Sequence, residues 1–450
     1  MDIAIGIGLL LALILLGIPV GFALGIAGAI SLFMIANPNV VYGLLHQVVY
    51  HAASNYVLLT IPMFVLMAEF LGTGGIARDL MIACNRLMRR VRGGLAMACV
   101  LAGAILAAAS GSSTASVASI ASSAFPTMKA LGYHKGFSVG TISIAGTLAI
   151  LIPPSVAFII YGIITEESIG RLFMAGLVPG ILTALGYMVT IALCVWYRPD
   201  LAPMSVADGE RADAVAPSNL SAASVADRSS ARAVKLEQHG RVWPVVGLIV
   251  VVLGCLYGGI ATPSEVAAIG AFGALIIAIA LGRLTRAGFI TAVGNTLRTS
   301  SMIVTIIFGA LLFGYFMSYT QVTTALLEWI RDSGMSPMVV LLMIVGFYLV
   351  LGMLMDQFAI IVLTVPITYT LMTGLGFDGI WFGVIIVKTA EIGLVTPPMG
   401  LNIFIASSAT GVSTKEGFMG VLPFVAMEVV ILALMIAFPQ IVLFLPDMMW

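Results

Sequence analysis

Charged residues are scarce in this sequence. Lys, Arg, Asp and Glu together make up 9% of its 450 residues, whereas an average soluble domain contains about 25%. The 20 basic residues balance the 20 acidic ones, so a net charge of zero gives no reason to expect nucleic acid as a partner. The four cysteines have no paired spacing, and the four histidines have no spacing typical of metal ligands. We therefore expect free thiols, no transition-metal site and no cofactor.

Signatures of common enzymes are also missing. The sequence has no HExxH motif, no pair of intramembrane aspartates and no convincing Ser-His set, so an intramembrane enzyme is not indicated. A Walker motif is missing too, but the permease of an ATP-driven importer would have its ATPase on a separate chain. That class of permease therefore stays open at this point.

What the sequence has in abundance is apolar residues, at 61% of the chain. Apolar runs long enough to cross about 30 Å of hydrocarbon as a helix recur from end to end. These runs do not alternate with period two, and only helices and closed barrels satisfy their backbone in lipid. We expect an all-α polytopic membrane protein. Residues 1–35 have no basic n-region and no A-x-A site, so they are predicted to be a membrane segment and not a cleaved signal.

The basic residues are clustered, and the positive-inside rule places their loops in the cytoplasm. The main clusters lie at 78–92, 129–135, 198–241 and 283–298. Between the first two clusters, segment 93–127 has no charged side chain. Both of its flanks would lie inside, which one straight crossing cannot achieve. A hairpin, or two ordinary short membrane helices, would give this topology, and charge alone does not choose between them.

The centre of segment 93–127 is polar, with the sequence SGSSTASVAS at 110–119. Non-helical backbone at membrane depth is tolerated only where it lines a cavity, so the polar centre favours a re-entrant hairpin that turns at Gly111. Segment 335–375 is a second apolar stretch with a polar centre, GMLMDQ at 352–357, and it predicts a second hairpin.

Matching sequences follow the two hairpins. LGYHKGFSVGTISIAGTLAILIPPS follows the first and LGFDGIWFGVIIVKTAEIGLVTPPM the second, with the same spacing from the leading glycine to the double proline. An odd number of predicted crossings separates the hairpins, so the second copy would be inverted. Inverted repeats with broken helices near the midplane are typical of secondary transporters.

Each repeat contains two consecutive prolines, Pro153–Pro154 and Pro397–Pro398. A double proline removes backbone donors and clashes with the preceding turn, so each pair should break its helix and free carbonyl oxygens. Next to hydroxyls from a hairpin tip, such carbonyls would form an oxygen cage suited to Na⁺. The break at Pro153 would form half of an ion and substrate site, and the other half would come from Gly111, Ser112, Ser113, Thr114 and Ser116. The alternative is that these small residues only allow tight helix packing.

This reading divides the chain into five parts. Residues 198–242, rich in Ala, Ser, Asp and Arg, are predicted to be a disordered cytoplasmic linker, with a partner-docking segment as the alternative. The other parts are N-terminal scaffold helices (1–92), the first repeat of inner hairpin, broken helix and closing helix (93–197), scaffold helices of the second half (243–334) and the second repeat with the outer hairpin (335–450).

Several of these motifs together resemble the large membrane (permease) subunit of tripartite ATP-independent periplasmic (TRAP) transporters. They are GSSTAS, ILIPPS, ATPSEVAAIGA at 261–271, LGMLMD and above all EIGLVTPPMGLNIFIAS at 391–407. The resemblance covers essentially the whole chain. It implies a sodium-driven, elevator-type symporter of small organic acids in the bacterial inner membrane. Its partners would be a small four-helix membrane subunit and a soluble periplasmic substrate-binding protein.

The resemblance also implies two sodium sites, one in each repeat, next to the substrate. The first would combine the tip hydroxyls with backbone of the broken helix, and its candidates are Ser112, Ser113, Thr114, Ser116, Gly146 and Pro153. The second would be built in the same way from Gly352, Asp356, Gly393, Thr396, Pro397 and Met399.

Some polar residues have two interpretations. Lys388 and Glu391 lie three positions apart in an apolar segment, so Lys388 could face a substrate carboxylate or pair with Glu391. Asp356 could be functional or could cap a helix. Gly17, Gly21 and Gly25 suggest a GxxxGxxxG ladder for packing within the scaffold or against the small subunit.

A stand-alone sodium–dicarboxylate or citrate symporter, which needs no binding protein, is the main alternative function. It would share the inverted hairpin architecture, and transport without any partner would distinguish it. The sequence does not identify the organic acid.

Overall fold

The structure, a computed structural model, describes residues 2–88, 90–202 and 242–449, and within these ranges its regular secondary structure is entirely helical. Seven helical segments of this described part are long and apolar enough to cross a membrane, judged by length and composition. Most of the predicted linker 198–242 lies outside the described residues.

Among the described residues up to 202 there are ten α-helices. They are α1 (Asp2–Leu15), α2 (Val20–Ile35), α3 (Pro38–Ser54), α4 (Thr60–Thr73), α5 (Ile76–Met88), α6 (Gly94–Ser110), α7 (Ser113–Ala130), α8 (Lys135–Leu151), α9 (Val156–Thr165) and α10 (Ile169–Tyr197). Short 3₁₀ turns occur at Tyr56–Leu59 and Pro199–Leu201.

The second half continues with helices of similar order and length. They are α11 (Trp243–Tyr257), α12 (Pro263–Ala280), α13 (Arg286–Tyr319), α14 (Val322–Asp332), α15 (Pro337–Gly352), α16 (Gln357–Gly374), α17 (Gly379–Gly393), α18 (Leu401–Thr410), α19 (Thr414–Ala437) and α20 (Gln440–Met449).

The predicted repeat is visible in this order. In each half a short amphipathic helix (α5, α14) precedes a helix pair (α6–α7, α15–α16), a helix in two pieces (α8–α9, α17–α18) and a long helix with an internal proline (α10, α19). The caps match as well: His134 accepts a hydrogen bond from Phe137 N at the start of α8, and Asp378 accepts one from Trp381 N at the start of α17.

Both predicted helix breaks are confirmed. Helix α8 ends at Leu151 and α9 begins at Val156, with Pro153–Pro154 between them. Helix α17 ends at Gly393 and α18 begins at Leu401, with Pro397–Pro398 between them. Each break removes amide donors from the i→i−4 ladder, which is the expected effect of proline.

Glycine contacts establish that the repeats run in opposite directions. A Cβ added to Gly136 would lie 2.5 Å from Glu416 O, and one added to Gly140 would lie 2.5 Å from the Gly420 carbonyl carbon, so α8 and α19 are parallel. Helix α17 is antiparallel to α19, because Trp381 contacts Met435 while Lys388 contacts Glu428. Equivalent helices α8 and α17 are therefore antiparallel, as the inverted repeat requires.

The predicted glycine ladder was partly wrong. Gly17 lies after the end of α1, with φ +81, and is not part of α2. The glycines within α2 do allow close packing, but against α13: an added Cβ would lie 2.9 Å from Ile306 Cα at Gly21 and 2.8 Å from Phe313 N at Gly28. The ladder is therefore an internal contact between α2 and α13.

Candidate functional site

The first hairpin tip contacts the first helix break. Gly111 joins α6 to α7 in a left-handed conformation, with φ +57, which glycine adopts without strain. A Cβ added there would lie 3.0 Å from Pro154 O. The close approach of tip and break is what the sequence predicted for this site.

The tip hydroxyls bond mostly to one another. Ser110 Oγ lies 2.6 Å from Ser116 Oγ, and Ser112 Oγ lies 3.1 Å from Thr114 Oγ1. Ser113 is different, because its Oγ donates to Asn402 Oδ1 at 3.3 Å, across to the second repeat. The hydroxyls thus form a polar cluster, and their unused lone pairs are the kind of oxygen that a hard cation accepts.

Gly146 has a packing role at this site. A Cβ there would lie 2.3 Å from Val117 Cγ2 and 3.1 Å from Ser113 O, so only glycine lets α8 approach α7 this closely. The missing side chain of Gly146 therefore serves close helix packing. The same approach brings the Ser113 carbonyl next to the backbone of the broken helix.

The first break is buried, and one of its carbonyls has a partner. Pro153 is buried, and Ser155 has no exposed surface. Because Pro154 has no N–H, it cannot donate to Ile150 O, and the Ser155 hydroxyl donates to that oxygen instead. Ser155 was missed by the sequence analysis, although it directly follows the double proline.

The second hairpin tip contacts the second break through glycine backbone. A Cβ added to Gly393 would lie 2.4 Å from Gly352 Cα, and one added to Gly352 would lie 2.9 Å from Gly393 Cα. Met399 N donates to Met353 O at 3.3 Å across the same contact. Three predicted residues of this site, Gly352, Gly393 and Met399, are thus brought together.

Asp356 caps a helix at the second tip. Its Oδ1 accepts hydrogen bonds from Phe358 N at 2.9 Å and Ala359 N at 3.3 Å, at the start of α16. Its side chain is exposed. The capping interpretation of Asp356 is therefore correct, and its second carboxylate oxygen is the part that remains to contact an ion.

Thr396 keeps an oxygen that a cation can use. Its Oγ1 donates to Ile392 O at 2.6 Å, so its hydrogen is used while its lone pairs are not. Pro397, Pro398 and Met399 are exposed, and the two prolines line a cavity of about 440 Å³ together with Lys415 and Phe418. The second break is therefore open, whereas the first is buried.

Asn402 links the two sites and was not among the predicted site residues. It lies in the first turn of α18 with no exposed surface, and Ser143 Oγ of α8 lies 3.4 Å from its carbonyl oxygen. The sequence feature that could have identified Asn402 is its amide side chain inside the apolar run GLNIFIAS, shortly after the second double proline.

The Lys388 side chain is paired in the protein interior and has no contact with solvent. It is fully buried, and its Nζ contacts Glu391 Oε2 at 3.2 Å, Thr183 Oγ1 at 3.0 Å and Glu428 Oε2. The Tyr187 hydroxyl donates to Glu428 Oε1. The predicted pairing of Lys388 with Glu391 is therefore correct. The second partner, Glu428, was not predicted, although it is an isolated acidic residue in the apolar sequence of α19.

Comparisons with known proteins agree with this architecture. A family model described as "Tripartite ATP-independent periplasmic transporter, DctM component" matches residues 7–441. The C4-dicarboxylate TRAP transporter large permease protein of Pseudomonas aeruginosa is 34% identical, over 94% of each chain. The isethionate TRAP transporter permease protein of Oleidesulfovibrio alaskensis is 32% identical over 96% of this chain, which spans 64% of that longer protein.

A solved structure is similar to this chain, and at its low sequence identity the similarity concerns the fold and not the function. The crystal structure of the Alcanivorax borkumensis YdaH transporter superposes with a TM-score of 0.60, over 91% of each chain, at 16% identity.

Proposed function

The chain belongs to the DctM family, the large membrane component of tripartite ATP-independent periplasmic transporters, and we propose that it imports a small organic anion together with sodium ions. It is a multi-pass membrane protein and a transporter component, not an enzyme. Because the family is ATP-independent, an ATP-driven permease is set aside. We place it in the bacterial inner membrane.

The family works with a small membrane subunit and a periplasmic binding protein. We propose that this chain does so too, and that its small subunit has four helices. The stand-alone symporter considered from the sequence would need neither partner.

The observation that supports sodium coupling best is the pair of contacts between a hairpin tip and a helix break. Both places combine hydroxyl or carbonyl oxygens with backbone that proline has freed, and neither offers a cysteine thiolate or an imidazole ligand among the described residues. Oxygen ligands of this kind suit a hard cation. The first ion would be held by Ser112, Ser113 and Thr114 with the backbone near Gly146, and the second by backbone near Gly352 and Gly393 with the hydroxyl of Thr396.

The substrate class is proposed from the relatives. Two of the relatives are named as transporters of C4-dicarboxylates and of isethionate. Both are small organic anions, one with carboxylates and one with a sulfonate. We propose that this chain also carries a small organic acid.

Elevator transport is the movement that the packing favours. Helices α6–α10 and α15–α19 pack together through the α8–α19 contact and the Lys388 cluster, while α2, α4, α12 and α13 pack among themselves. We propose that the first group carries both sites past the second group as one body. The hairpins would be re-entrant, with their tips near the midplane.

Uptake of radiolabelled succinate and isethionate into proteoliposomes tests this function. The chain is reconstituted with its small subunit, and the binding protein is supplied outside. An inward sodium gradient should drive uptake, since each entering Na⁺ gains about 2.3 kcal/mol per 100 mV of potential before any concentration gradient. Replacing sodium by choline should abolish uptake, and omitting the binding protein should do the same. Unchanged uptake in choline would overturn sodium coupling, and uptake without the binding protein would favour the stand-alone symporter.

A further inference from the structure

Helices that begin at a tip or a break differ in how their first amides are satisfied. The first N–H groups of a helix have no partner within the helix and carry partial positive charge. Asp356 caps α16, whereas α7, α9 and α18 begin without a side-chain cap within the described part of the chain. At α18 the Asn402 amide donates to Leu394 O at 3.1 Å and the Ile403 amide to Gly400 O at 2.8 Å, so the free first amides lie at the starts of α7 and α9.

Two of these uncapped starts meet at the side chain of Asn402. Asn402 is the second residue of α18, and its Oδ1 accepts from Ser113, the first residue of α7. Its Nδ2 is buried and has no hydrogen-bond partner among the residues that the structure describes. A buried amide donor without a partner is rare in native proteins and needs an acceptor. The free donor lies where the positive ends of α7 and α18 come together.

The second hairpin tip carries hydrogen-bond acceptors, whereas the first carries free donors. At the start of α16 lie the exposed carboxylate of Asp356 and the buried Oε1 of Gln357, which has no donor in the described structure. Both groups are acceptors. An anion is therefore repelled at the second tip and favoured at the first.

Within the described part of the chain, no unpaired buried lysine or arginine is available to bind an anion in place of these helix starts. Among the described residues, the buried charged side chains are Asp79, Lys388, Glu391 and Glu428, and Lys388 is already paired with both glutamates. Recognition of an anion inside the protein therefore depends on helix starts and neutral donors, as it does at other anion sites on helix N-termini.

We propose that the anionic group of the substrate binds to Asn402 Nδ2 and to the free amides at the start of α7. Asn402 is covered by the first hairpin here, so the hairpin α6–α7 moves away from α18 to admit the anion. The rest of the substrate extends towards the second tip. This inference rests on the proposed function, since it assigns an orientation to the cargo of the same transporter.

Asn402→Asp is the sharpest test. Aspartate keeps the oxygen that accepts from Ser113 and nearly the same shape, but it removes the Nδ2 donor and adds a negative charge. Asn402→Leu removes both polar groups. Ser143→Ala is the matched control, because it removes a hydroxyl that contacts the Asn402 backbone and leaves the side-chain amide in place.

The assay is sodium-driven uptake of succinate and isethionate by the reconstituted complex, with monodisperse elution required of every variant. We expect Asn402→Leu to raise the KM at least about tenfold, the loss typical of one hydrogen bond to a charged group. Asn402→Asp should raise it further, while the Ser143→Ala kinetics stay unchanged.

Other outcomes overturn the inference in distinguishable ways. A wild-type KM in Asn402→Asp means that the residue serves only as the acceptor for Ser113. A shift in sodium half-saturation without a change in KM means that the amide faces a cation. If the wild-type complex transports neither anion, the proposed function fails along with this inference.

Discussion

Lys388 of α17 forms an ion pair with Glu428 of α19, and neither side chain has more than 1% of its surface exposed. Glu391 is the second carboxylate on the same ammonium group. The cluster joins the second broken helix to the closing helices of both repeats, because Thr183 and Tyr187 of α10 also contact it. The cluster therefore connects helices of both repeats inside the protein.

Lys388→Met should destabilise the protein strongly. It leaves two buried carboxylates without their cation, and breaking a buried pair in this way costs about 3–5 kcal/mol. We expect low yield and a lower melting temperature in detergent. Combining it with Glu391→Gln and Glu428→Gln should restore most of the stability, and Lys415→Met, at an exposed lysine, should have little effect. A stable Lys388→Met protein with a raised KM for succinate would instead place Lys388 on the substrate.

Thr396→Val tests the second sodium site. Valine is nearly isosteric but provides no oxygen, so losing one ligand should cost about 1–3 kcal/mol, or roughly 5- to 150-fold in sodium affinity. Thr389→Val is the control, since Thr389 Oγ1 donates to Ile385 O in the same way within α17, before the break. The sodium titration of uptake should shift only for Thr396→Val. Equal titrations for both variants would leave Thr396 with a packing role.

Gly393→Ala tests the contact between the second tip and its break. The added methyl group would lie 2.4 Å from Gly352 Cα, so the tip must move away. Overpacking of this kind costs about 1–3 kcal/mol, and we expect sodium affinity to fall with it. Gly346→Ala is the control in α15, because an added Cβ there meets no atom within 4 Å. Normal sodium titration in Gly393→Ala would show that the contact does not shape the ion site.

Cysteine labelling tests the opposite orientation of the two tips. Ser113→Cys should react from the cytoplasm when the carrier faces inward, and Gln357→Cys from the periplasm when it faces outward. Both positions are at least 95% buried here, so labelling reports movement of the hairpins. Protection of Ser113→Cys under every condition, while a loop cysteine is labelled, would contradict the re-entrant assignment.

Local chemistry made much of the fold predictable. Proline pairs break helices through their own backbone chemistry, and glycine adopts the left-handed conformation found at Gly111 without strain, so the breaks and the first tip could be predicted from the sequence. The predicted glycine ladder was wrong at Gly17, because this residue lies between the end of α1 and the start of α2 and so does not share a helix with Gly21. Contacts of Asn402 with Ser113 and of Lys388 with Glu428 could not be predicted, since they depend on how distant helices pack. The same limit explains why Thr396 could be named as a candidate sodium ligand only as a member of a motif.

The most direct test of the central claim is the ratio of sodium to substrate carried in one cycle. Radioactive sodium and radiolabelled succinate are followed together in proteoliposomes that contain the complete complex. Two sites predict that two sodium ions enter with each succinate, and that the ratio falls in Thr396→Val at sodium concentrations that no longer fill the second site. Succinate uptake without any accompanying sodium would contradict the account.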